Sequence, residues 1–343
     1  MGATAVKLFE DGDCSVRPAP LRAPRPSILA EDREIPLGET FRLDSGEVLS
    51  DPVFRVRLYG PEGAPVVAVA GGISAGRRVA DAHDGAGWWR GLVSTGGTLD
   101  TRRFRILGFD FLPGREPTAV TVTPDDQARA LAAALDRLGI ETLHGFVGAS
   151  YGGVVGLAFA ALFPLRVRKL CAISAAARPD PMATALRGIQ RRIIALGLEA
   201  GRQAEGVALA RELAMTTYRS AEEFRSRFES VALGPRAGDP YDVCGYLHAR
   251  GAAYAKTMTA ARYISLSDSL DRANIDVARI NADCLFIAST GDRLVPAADT
   301  ERAARAVTGR SSYLAIDSLV GHDAFLCDVE KFGPRLKSFI ERG

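Results

Sequence analysis

Residues 143–156 read Leu143-His144-Gly145-Phe146-Val147-Gly148-Ala149-Ser150-Tyr151-Gly152-Gly153-Val154-Val155-Gly156. An apolar run ends in G-x-S-x-G and continues into a second run of small apolar residues, an order that predicts a strand, a sharp turn and a helix. At such a turn, Gly148 and Gly152 remove side chains that would collide with the strand and the helix. We therefore expect Ser150 to stand at a helix N-terminus as a candidate nucleophile, where the free N–H of Tyr151 can meet developing negative charge.

The composition is that of a globular enzyme with balanced charge. The 343 residues are enough to bury a sizeable core, and the formal net charge of +2 gives no reason to expect a nucleic acid or a membrane surface as partner. An N-terminal signal core and a run of about 18 apolar residues are both missing, so neither export nor membrane insertion is expected. The cysteines form no C-x-x-C pair, and we expect all of them to be reduced and structural in a cytoplasmic protein. They are Cys14, Cys171, Cys244, Cys284 and Cys327.

Strand-like and helix-like segments alternate along much of the chain, which predicts a mostly parallel α/β sheet flanked by helices. Residues 1–38 are rich in Pro and Arg and predict an extended N-terminal segment. Between residues 176 and 280 helical patterns replace the strands, which predicts a helical lid inserted into an α/β core of residues 39–175 and 281–343. The helix-like stretches of this lid are 182–196, 206–217, 221–231 and 246–269.

A glycine-rich loop follows the buried strand that is predicted at residues 65–70. The loop begins Gly71-Gly72-Ile73-Ser74 and lies at the carboxyl end of a central strand, where such sheets bind ligands. Its two glycines allow the backbone to approach a ligand closely. The N–H of Ile73 is therefore our candidate for a second oxyanion donor beside the N–H of Tyr151.

A serine hydroxyl needs a base within hydrogen-bond reach, and that base needs a third group to hold its tautomer. Of the four histidines, only His322 lies in a glycine-led loop after the final strand, from which a side chain can reach Ser150. Asp292, in G-D-x-x-V-P just past a strand end, is the candidate orienting acid. The order Ser150, Asp292, His322 is that of enzymes with the α/β-hydrolase fold.

Several further segments match one family pattern. They are 72–74 (G-I-S), 88–93 (W-W-R-G-L-V), 99–104 (L-D-T-R-R-F), 210–220 (A-R-E-L-A-M-T-T-Y-R-S), 263–266 (Y-I-S-L) and 321–326 (G-H-D-A-F-L). Together they resemble the homoserine O-acyltransferases, acetyl or succinyl, of the α/β-hydrolase fold. The resemblance runs from about residue 65 to the end of the sequence and includes the predicted lid.

The resemblance implies that an acyl group passes from acyl-CoA to the serine and then to the hydroxyl of L-homoserine, by ping-pong kinetics, in methionine biosynthesis. It implies that Arg219 of the T-Y-R-S run and Asp323 bind the substrate. A guanidinium can clamp an α-carboxylate and a carboxylate can hold an α-ammonium, so the chemistry agrees. The resemblance also implies a homodimer with small-molecule partners, acyl-CoA as co-substrate, and neither a permanently bound cofactor nor a metal.

Two departures from the family pattern leave the substrates open. Tyr151 follows the nucleophile where the family usually has Met, and residues 112–117 replace a long Gly-, Ser- and Thr-rich segment. The alternatives are an acetyl or succinyl donor, a serine acceptor, a carboxylic-ester hydrolase with water as acceptor, and a non-catalytic homologue, which the intact Ser, Asp and His oppose. A succinyl donor needs a cation for its distal carboxylate, for which the candidates are Arg77, Arg78, Arg178, Arg187 and Arg191.

Overall fold

A central sheet of eight strands organises the structure, a computed structural model that describes residues 28–114 and 116–342. The strands of the chain are β1 (Ala30–Pro36), β2 (Thr40–Arg42), β3 (Val48–Ser50), β4 (Val53–Tyr59), β5 (Val66–Ala70), β6 (Val93–Ser94), β7 (Leu99–Asp100), β8 (Arg105–Phe109), β9 (Gly145–Ala149), β10 (Lys169–Ile173), β11 (Asp283–Ser289) and β12 (Ser311–Ile316). The order in the central sheet is β1-β4-β8-β5-β9-β10-β11-β12, while β2 with β3 and β6 with β7 form small separate pairs.

The central sheet is mostly parallel. Strand β4 pairs antiparallel with β1 and β8, whereas the remaining neighbours pair parallel. The predicted α/β-hydrolase fold is therefore confirmed. Strands β5, β9 and β10 are apolar almost throughout because both faces of the sheet centre are covered.

Strand β1 is one feature that the sequence did not predict. It lies within the segment 1–38, for which only an extended conformation was expected, and it pairs with β4 over seven residues. Its alternation is hard to recognise because most of its residues are charged and exposed, as is common for an edge strand. Residues 1–27 of the predicted segment lie outside the described residues.

Ten helices cover the two faces of the sheet or follow β10. They are α1 (Pro124–Arg137), α2 (Tyr151–Leu162), α3 (Pro181–Glu199), α4 (Gln203–Tyr218), α5 (Ala221–Arg227), α6 (Asp242–Ala255), α7 (Ala260–Asp271), α8 (Ala297–Ala306), α9 (Ala324–Cys327) and α10 (Val329–Glu341), counted within the described residues. Helices α1, α2 and α8 share an apolar core with one face of the sheet, and α9 and α10 share one with the other face.

Helices α3 to α7 form the helical insertion, residues 181–271, between β10 and β11. The insertion has an apolar core of its own, which includes Ile194, Val207 and Tyr263. The single helix-like stretch predicted at 246–269 is two helices. Thr259 ends its continuity because its hydroxyl accepts the N–H of Arg262 and caps the N-terminus of α7.

The cysteines differ from one another. Cys171, Cys244 and Cys284 are free thiols, and burial raises the pKa of Cys171 and Cys284. Cys327 is disulfide-bonded, so the prediction that every cysteine is reduced is wrong for this residue. Separation along the sequence does not report distance in space, which explains the error. Cys14 lies outside the described residues.

Within 28–114 and 116–342, no helix is both long and apolar enough to span a membrane.

Candidate active site

The turn between β9 and α2 has the strained geometry that the sequence predicts. Ser150 has φ 53° and ψ −125°, a conformation that side-chain-bearing residues rarely adopt. A Cβ at position 148 would lie 2.2 Å from the carbonyl oxygen of Gly152, and a Cβ at position 152 would lie 2.4 Å from the carbonyl of Ala70. Both positions therefore require glycine, and the turn presents Ser150 beyond the carboxyl edge of the sheet.

Ser150, His322 and Asp292 form one hydrogen-bonded chain. His322 Nε2 lies 2.9 Å from Ser150 Oγ, and His322 Nδ1 lies 2.7 Å from Asp292 Oδ2. The side chains of His322 and Asp292 are 6% and 0% exposed. The carboxylate can accept the Nδ1–H proton, which leaves Nε2 free to take the proton of the serine hydroxyl. The structure thus brings together the three residues that the sequence singled out for this chemistry.

The Asp292 carboxylate is held in place by the backbone that follows it. Its Oδ1 accepts the N–H groups of Leu294 and Val295, each at 2.9 Å, so Oδ2 remains for His322. Gly321 precedes the histidine with φ 61°, and a Cβ there would lie 2.9 Å from the carbonyl oxygen of Tyr218. The glycine allows the loop to pass close to the insertion while His322 points at Ser150.

The surroundings of His322 favour its protonated form. Burial lowers the pKa of the imidazole, but the charge and hydrogen bond of Asp292, with a further contribution from Asp323, raise the pKa above its usual value. Arg187 lowers the pKa of His322, because its positive charge disfavours a second positive charge on the imidazole. A histidine with this environment is suited to take a proton and to stabilise the resulting imidazolium.

Two backbone N–H groups border Ser150. Tyr151 is the first residue of α2, and the loop at Gly72 is so close that a Cβ there would lie 3.9 Å from Ser150 Oγ. A hydrogen bond of 2.8 Å from the Gly152 N–H to the Gly71 carbonyl joins the start of α2 to this loop. In the described part of the chain, the N–H groups of Ile73 and Tyr151 donate no hydrogen bond. Both N–H groups therefore remain the candidate donors to one oxyanion.

The side chain of Tyr151 has a separate, structural position. It is fully buried, its hydroxyl is 2.7 Å from Ser269 Oγ on α7, and its ring meets the edge of Phe111 at 4.7 Å. Burial strongly raises the pKa of this hydroxyl, so it stays neutral. The residue that departs from the family pattern therefore connects the turn at Ser150 to the helical insertion.

Arg219 and Asp323 are neighbours. Arg219 Nε lies 2.8 Å from Asp323 Oδ2, and its Nη1 lies 3.0 Å from Glu223 Oε1. Arg219 is only 8% exposed, so it is not the surface salt bridge that an arginine at a helix end commonly makes. Burial lowers the pKa of Arg219, but the two carboxylates raise it overall, so the guanidinium remains charged.

All seven residues singled out from the sequence lie at or beside one cavity of about 1130 Å³, and Ser150, His322, Arg219, Asp323 and Ile73 line it directly. The cavity lies between the carboxyl ends of the strands and the helical insertion. Its volume exceeds the roughly 300–1,000 Å³ of a site for one small ligand, so it has room for more than one.

Three further arginines line the wall, and of these the sequence singled out only Arg187, as one of five candidates for a succinyl carboxylate. Arg187 on α3 shares the carboxylate of Asp271 with Arg191, and Arg262 on α7 donates to the carbonyls of residues 111, 113 and 114. Arg211 on α4 packs against aromatic rings. The sequence does not distinguish Arg187 from Arg191, because no signal in it says which face of a helix turns toward a cavity. Across the described residues, no group of three His, Cys, Asp or Glu side chains could hold a metal ion.

Comparison with known proteins places the chain among enzymes. Residues 82–328 match the family model described as alpha/beta hydrolase fold. The chain is 42% identical over 279 residues to homoserine O-succinyltransferase from Xanthomonas campestris pv. campestris, covering 81% of this chain and 76% of that protein. It is 30% identical over 299 residues to serine O-succinyltransferase from Litchfieldella anticariensis, covering 74% of this chain and 82% of that protein.

Solved structures with the same fold include both transferases and hydrolases. Homoserine O-acetyltransferase from Bacillus anthracis superimposes with a TM-score of 0.83 at 16% identity, over 92% of this chain and 98% of that one. Esterase E22 superimposes with a TM-score of 0.84 at 20% identity, over 91% and 100% of the two chains. At these identities the likeness establishes the fold and leaves the reaction to the site itself.

Proposed function

Because the chain belongs to the homoserine O-acyltransferase family of the α/β-hydrolase fold, we propose that it transfers an acyl group from acyl-CoA to the hydroxyl of L-homoserine. The observation that carries the proposal is a single cavity in which Ser150 and His322 lie beside the paired charges of Arg219 and Asp323. An amino acid carries both an α-carboxylate and an α-ammonium. A cation and an anion side by side, next to the nucleophile, match that pair of charges.

In the first half-reaction, Ser150 Oγ attacks the thioester carbonyl of the donor while His322 Nε2 takes its proton. The N–H groups of Ile73 and Tyr151 stabilise the oxyanion. Collapse of the tetrahedral intermediate breaks the carbon–sulfur bond, His322 returns the proton to the CoA sulfur, and an acyl-serine remains.

In the second half-reaction, the homoserine hydroxyl takes the place of CoA. His322 removes its proton, the alkoxide oxygen attacks the acyl-serine, and the proton returns to Ser150 as O-acylhomoserine leaves. The helical insertion, residues 181–271, acts as a lid that keeps water from the acyl-enzyme, because an acyl-serine open to solvent hydrolyses.

We propose succinyl-CoA as the donor. The relative with 42% identity is named a succinyltransferase, and Arg187 of the cavity wall offers a cation for the distal carboxylate of a succinyl group. Arg187 and Arg191 share the one carboxylate of Asp271, at 2.6 Å each, and Arg187 is close enough to influence His322. Among the other candidates, Arg77 pairs with Asp32 and Asp110, and Arg78 pairs with Asp84. Neither Arg178 nor Arg191 lines the main cavity, which leaves Arg187.

The cellular setting follows from the substrates. Acyl-CoA is made and used in the cytoplasm, so we propose that this protein acts there, in methionine biosynthesis.

We also propose a homodimer formed through the insertion. Met182, Ile189 and Leu196 are spaced by seven residues on α3 and are 66%, 48% and 65% exposed, so one apolar stripe of this helix faces outward.

The test is release of CoA by the purified protein from succinyl-CoA or acetyl-CoA, each with homoserine, with serine or without acceptor. We expect homoserine-dependent release with succinyl-CoA, and no release by Ser150→Ala. In the absence of acceptor, wild-type protein should release one CoA per active site and carry the acyl group on Ser150. Continuous release without acceptor would show a hydrolase, and preference for serine would show a serine O-acyltransferase; either result contradicts the proposal.

A further inference from the structure

Arg211 is held at the cavity by two aromatic rings. It lies on α4 two helical turns before Tyr218, and its guanidinium carbon is 5.2 Å from the ring centre of Tyr218 and 4.6 Å from that of Tyr254. Both rings and the arginine line the cavity that contains Ser150. Stacking of this kind orients a guanidinium but does not neutralise its charge.

Three other arginines of the cavity wall already have oxygen partners. Arg219 is paired with two carboxylates, Arg187 shares Asp271, and Arg262 donates to backbone carbonyls. Arg211, in contrast, makes no ion pair and no hydrogen bond with any residue that the structure describes, although it is mostly shielded from solvent. A shielded guanidinium with unused donors is a binding site for an anionic group of a ligand.

The position of Arg211 identifies which end of the cavity it serves. The ring of Tyr218, which it contacts, lies 6.0 Å from the imidazole of His322. Burial lowers the pKa of Arg211, but the neighbouring tyrosines and the charge of Asp323 raise it overall, so Asp323 is near enough to act on it. Arg211 therefore lies on the side of the cavity that Tyr218 and His322 line, and along the chain it precedes Arg219 of the proposed amino-acid end.

We propose that Arg211 binds the α-carboxylate of the acceptor amino acid, an inference that rests on the proposed transfer to homoserine. Arg219 uses Nε for Asp323 and Nη1 for Glu223. The Nε of Arg219 therefore positions Asp323 for the α-ammonium. The carboxylate then lies between the free side of Arg219 and the forked donors of Arg211. The acceptor is thus an amino acid recognised through both of its charged groups.

The test compares homoserine with 3-aminopropan-1-ol, which is homoserine without its α-carboxylate. Arg211→Met keeps an unbranched side chain between the two rings but removes the charge. We expect kcat/KM for homoserine to fall about 10- to 100-fold, mainly through KM, because a hydrogen-bonded ion pair is lost. We expect kcat/KM for 3-aminopropan-1-ol and the rate of Ser150 acylation by succinyl-CoA to change less than about twofold. Arg211→Lys should recover part of the homoserine preference.

Arg202→Met provides the matched control, because Arg202 is exposed at the start of the same helix and pairs only with Glu205. Arg202→Met should prefer homoserine over 3-aminopropan-1-ol as strongly as the wild-type protein does. If Arg211→Met retained that preference, or lost activity with both acceptors equally, the role of Arg211 would be refuted while the proposed function stood. A rise in the KM for succinyl-CoA alone would assign the residue to the donor and also refute it. A wild-type protein inactive with homoserine would overturn the proposed function itself.

Discussion

His322 experiences two opposing effects. Burial lowers its pKa, and Asp292 more than compensates, so the pKa is raised above the ordinary value of 6.5. A general base must be neutral to accept a proton. The rate of Ser150 acylation should therefore decrease as the pH falls, with a midpoint above pH 6.5.

Asp292→Asn should move this midpoint in a defined direction. Without the carboxylate the pKa of His322 loses its main raising contribution, while burial and Arg187 still lower it and only Asp323 still raises it, so the acid limb of kcat/KM is expected at lower pH than in the wild-type protein. At pH 8 kcat/KM should also fall about 10⁴-fold, because an amide holds the wrong tautomer of the imidazole. The measurement is the pH profile of CoA release from pH 5 to 9. Asp299→Asn is the control, because the carboxylate of Asp299 pairs with Arg302 and not with His322. An unchanged midpoint in Asp292→Asn would contradict the role assigned to Asp292.

Arg187→Met should separate the two possible donors. The distal carboxylate of succinyl-CoA would lose its cation, and we expect its KM to rise about 10- to 100-fold while the KM for acetyl-CoA stays constant. Asp271 would still pair with Arg191, so the packing of α3 against α7 should be retained. Arg178→Met is the control because Arg178 binds Asn274 outside the main cavity. An equal rise for both donors would argue against a carboxylate site at Arg187.

At the residue scale, the sequence predicts the groups that follow strand ends and misses those on helices. Ser150, Asp292 and His322 each follow a strand of a parallel sheet, and the carboxyl ends of such strands meet at one edge. Arg211 lies within an ordinary helical pattern, and whether its face meets solvent or a cavity depends on tertiary packing. Periodicity distinguishes an apolar face from a polar one but does not distinguish bulk water from a polar cavity.

At the element scale, α7 joins the insertion to the core. Its Ser269 contacts the hydroxyl of Tyr151, and its Arg262 donates to the backbone carbonyls of residues 111, 113 and 114. Gln127 of α1 accepts the N–H of Leu112 at 2.9 Å and fixes the same segment from the other side. Two helices therefore hold it as part of the cavity wall.

Tyr151→Phe tests the connection between α7 and the turn at Ser150. The buried Ser269 hydroxyl would lose its partner, and the free energy of unfolding should fall by about 1–3 kcal/mol. Activity should change little, because the proposed oxyanion donor at position 151 is the backbone N–H. Denaturant unfolding should give a Tyr151→Phe/Ser269→Ala double variant that loses less than the sum of the single changes. Strict additivity would mean that the hydrogen bond contributes nothing.

Element boundaries within the insertion are harder to predict than its existence. The patterns indicate helices after residue 176 because apolar residues recur at helical spacing, and helices α3 to α7 lie there. The break between α6 and α7 depends on Thr259 as a cap, and a threonine inside an apolar pattern is equally consistent with one continuous helix. Strand β1 escapes prediction because its partner β4, rather than its own composition, holds it in the sheet.

At the scale of the whole molecule, the cavity is lined by two parts of the fold, the α/β core and the helical insertion, each of which has apolar packing of its own. The sheet and its flanking helices supply Ser150, Asp292, His322 and Asp323, while the insertion has its own core and supplies Arg187, Arg211 and Arg219. The reacting groups therefore lie in the core, and the cations proposed to recognise the substrates lie in the insertion. A change that loosens the insertion should affect acceptor and donor KM before it affects the proton transfers at Ser150.

Leu196→Lys tests the proposed assembly through α3. Leu196 is 65% exposed and lies seven residues from Ile189 on the outward stripe, so a second copy that covers the stripe would have to bury the introduced charge. We expect wild-type protein to sediment as a dimer and the variant to dissociate at least tenfold more readily in a concentration series. Leu165→Lys is the matched control, since Leu165 is 85% exposed after α2, away from the insertion. A variant with the wild-type mass at every concentration, or a control that dissociates equally, would exclude α3 as the interface. Because Arg187 and Gln190 on the same helix line the cavity, dissociation should also raise the KM for the donor, which links assembly to the site.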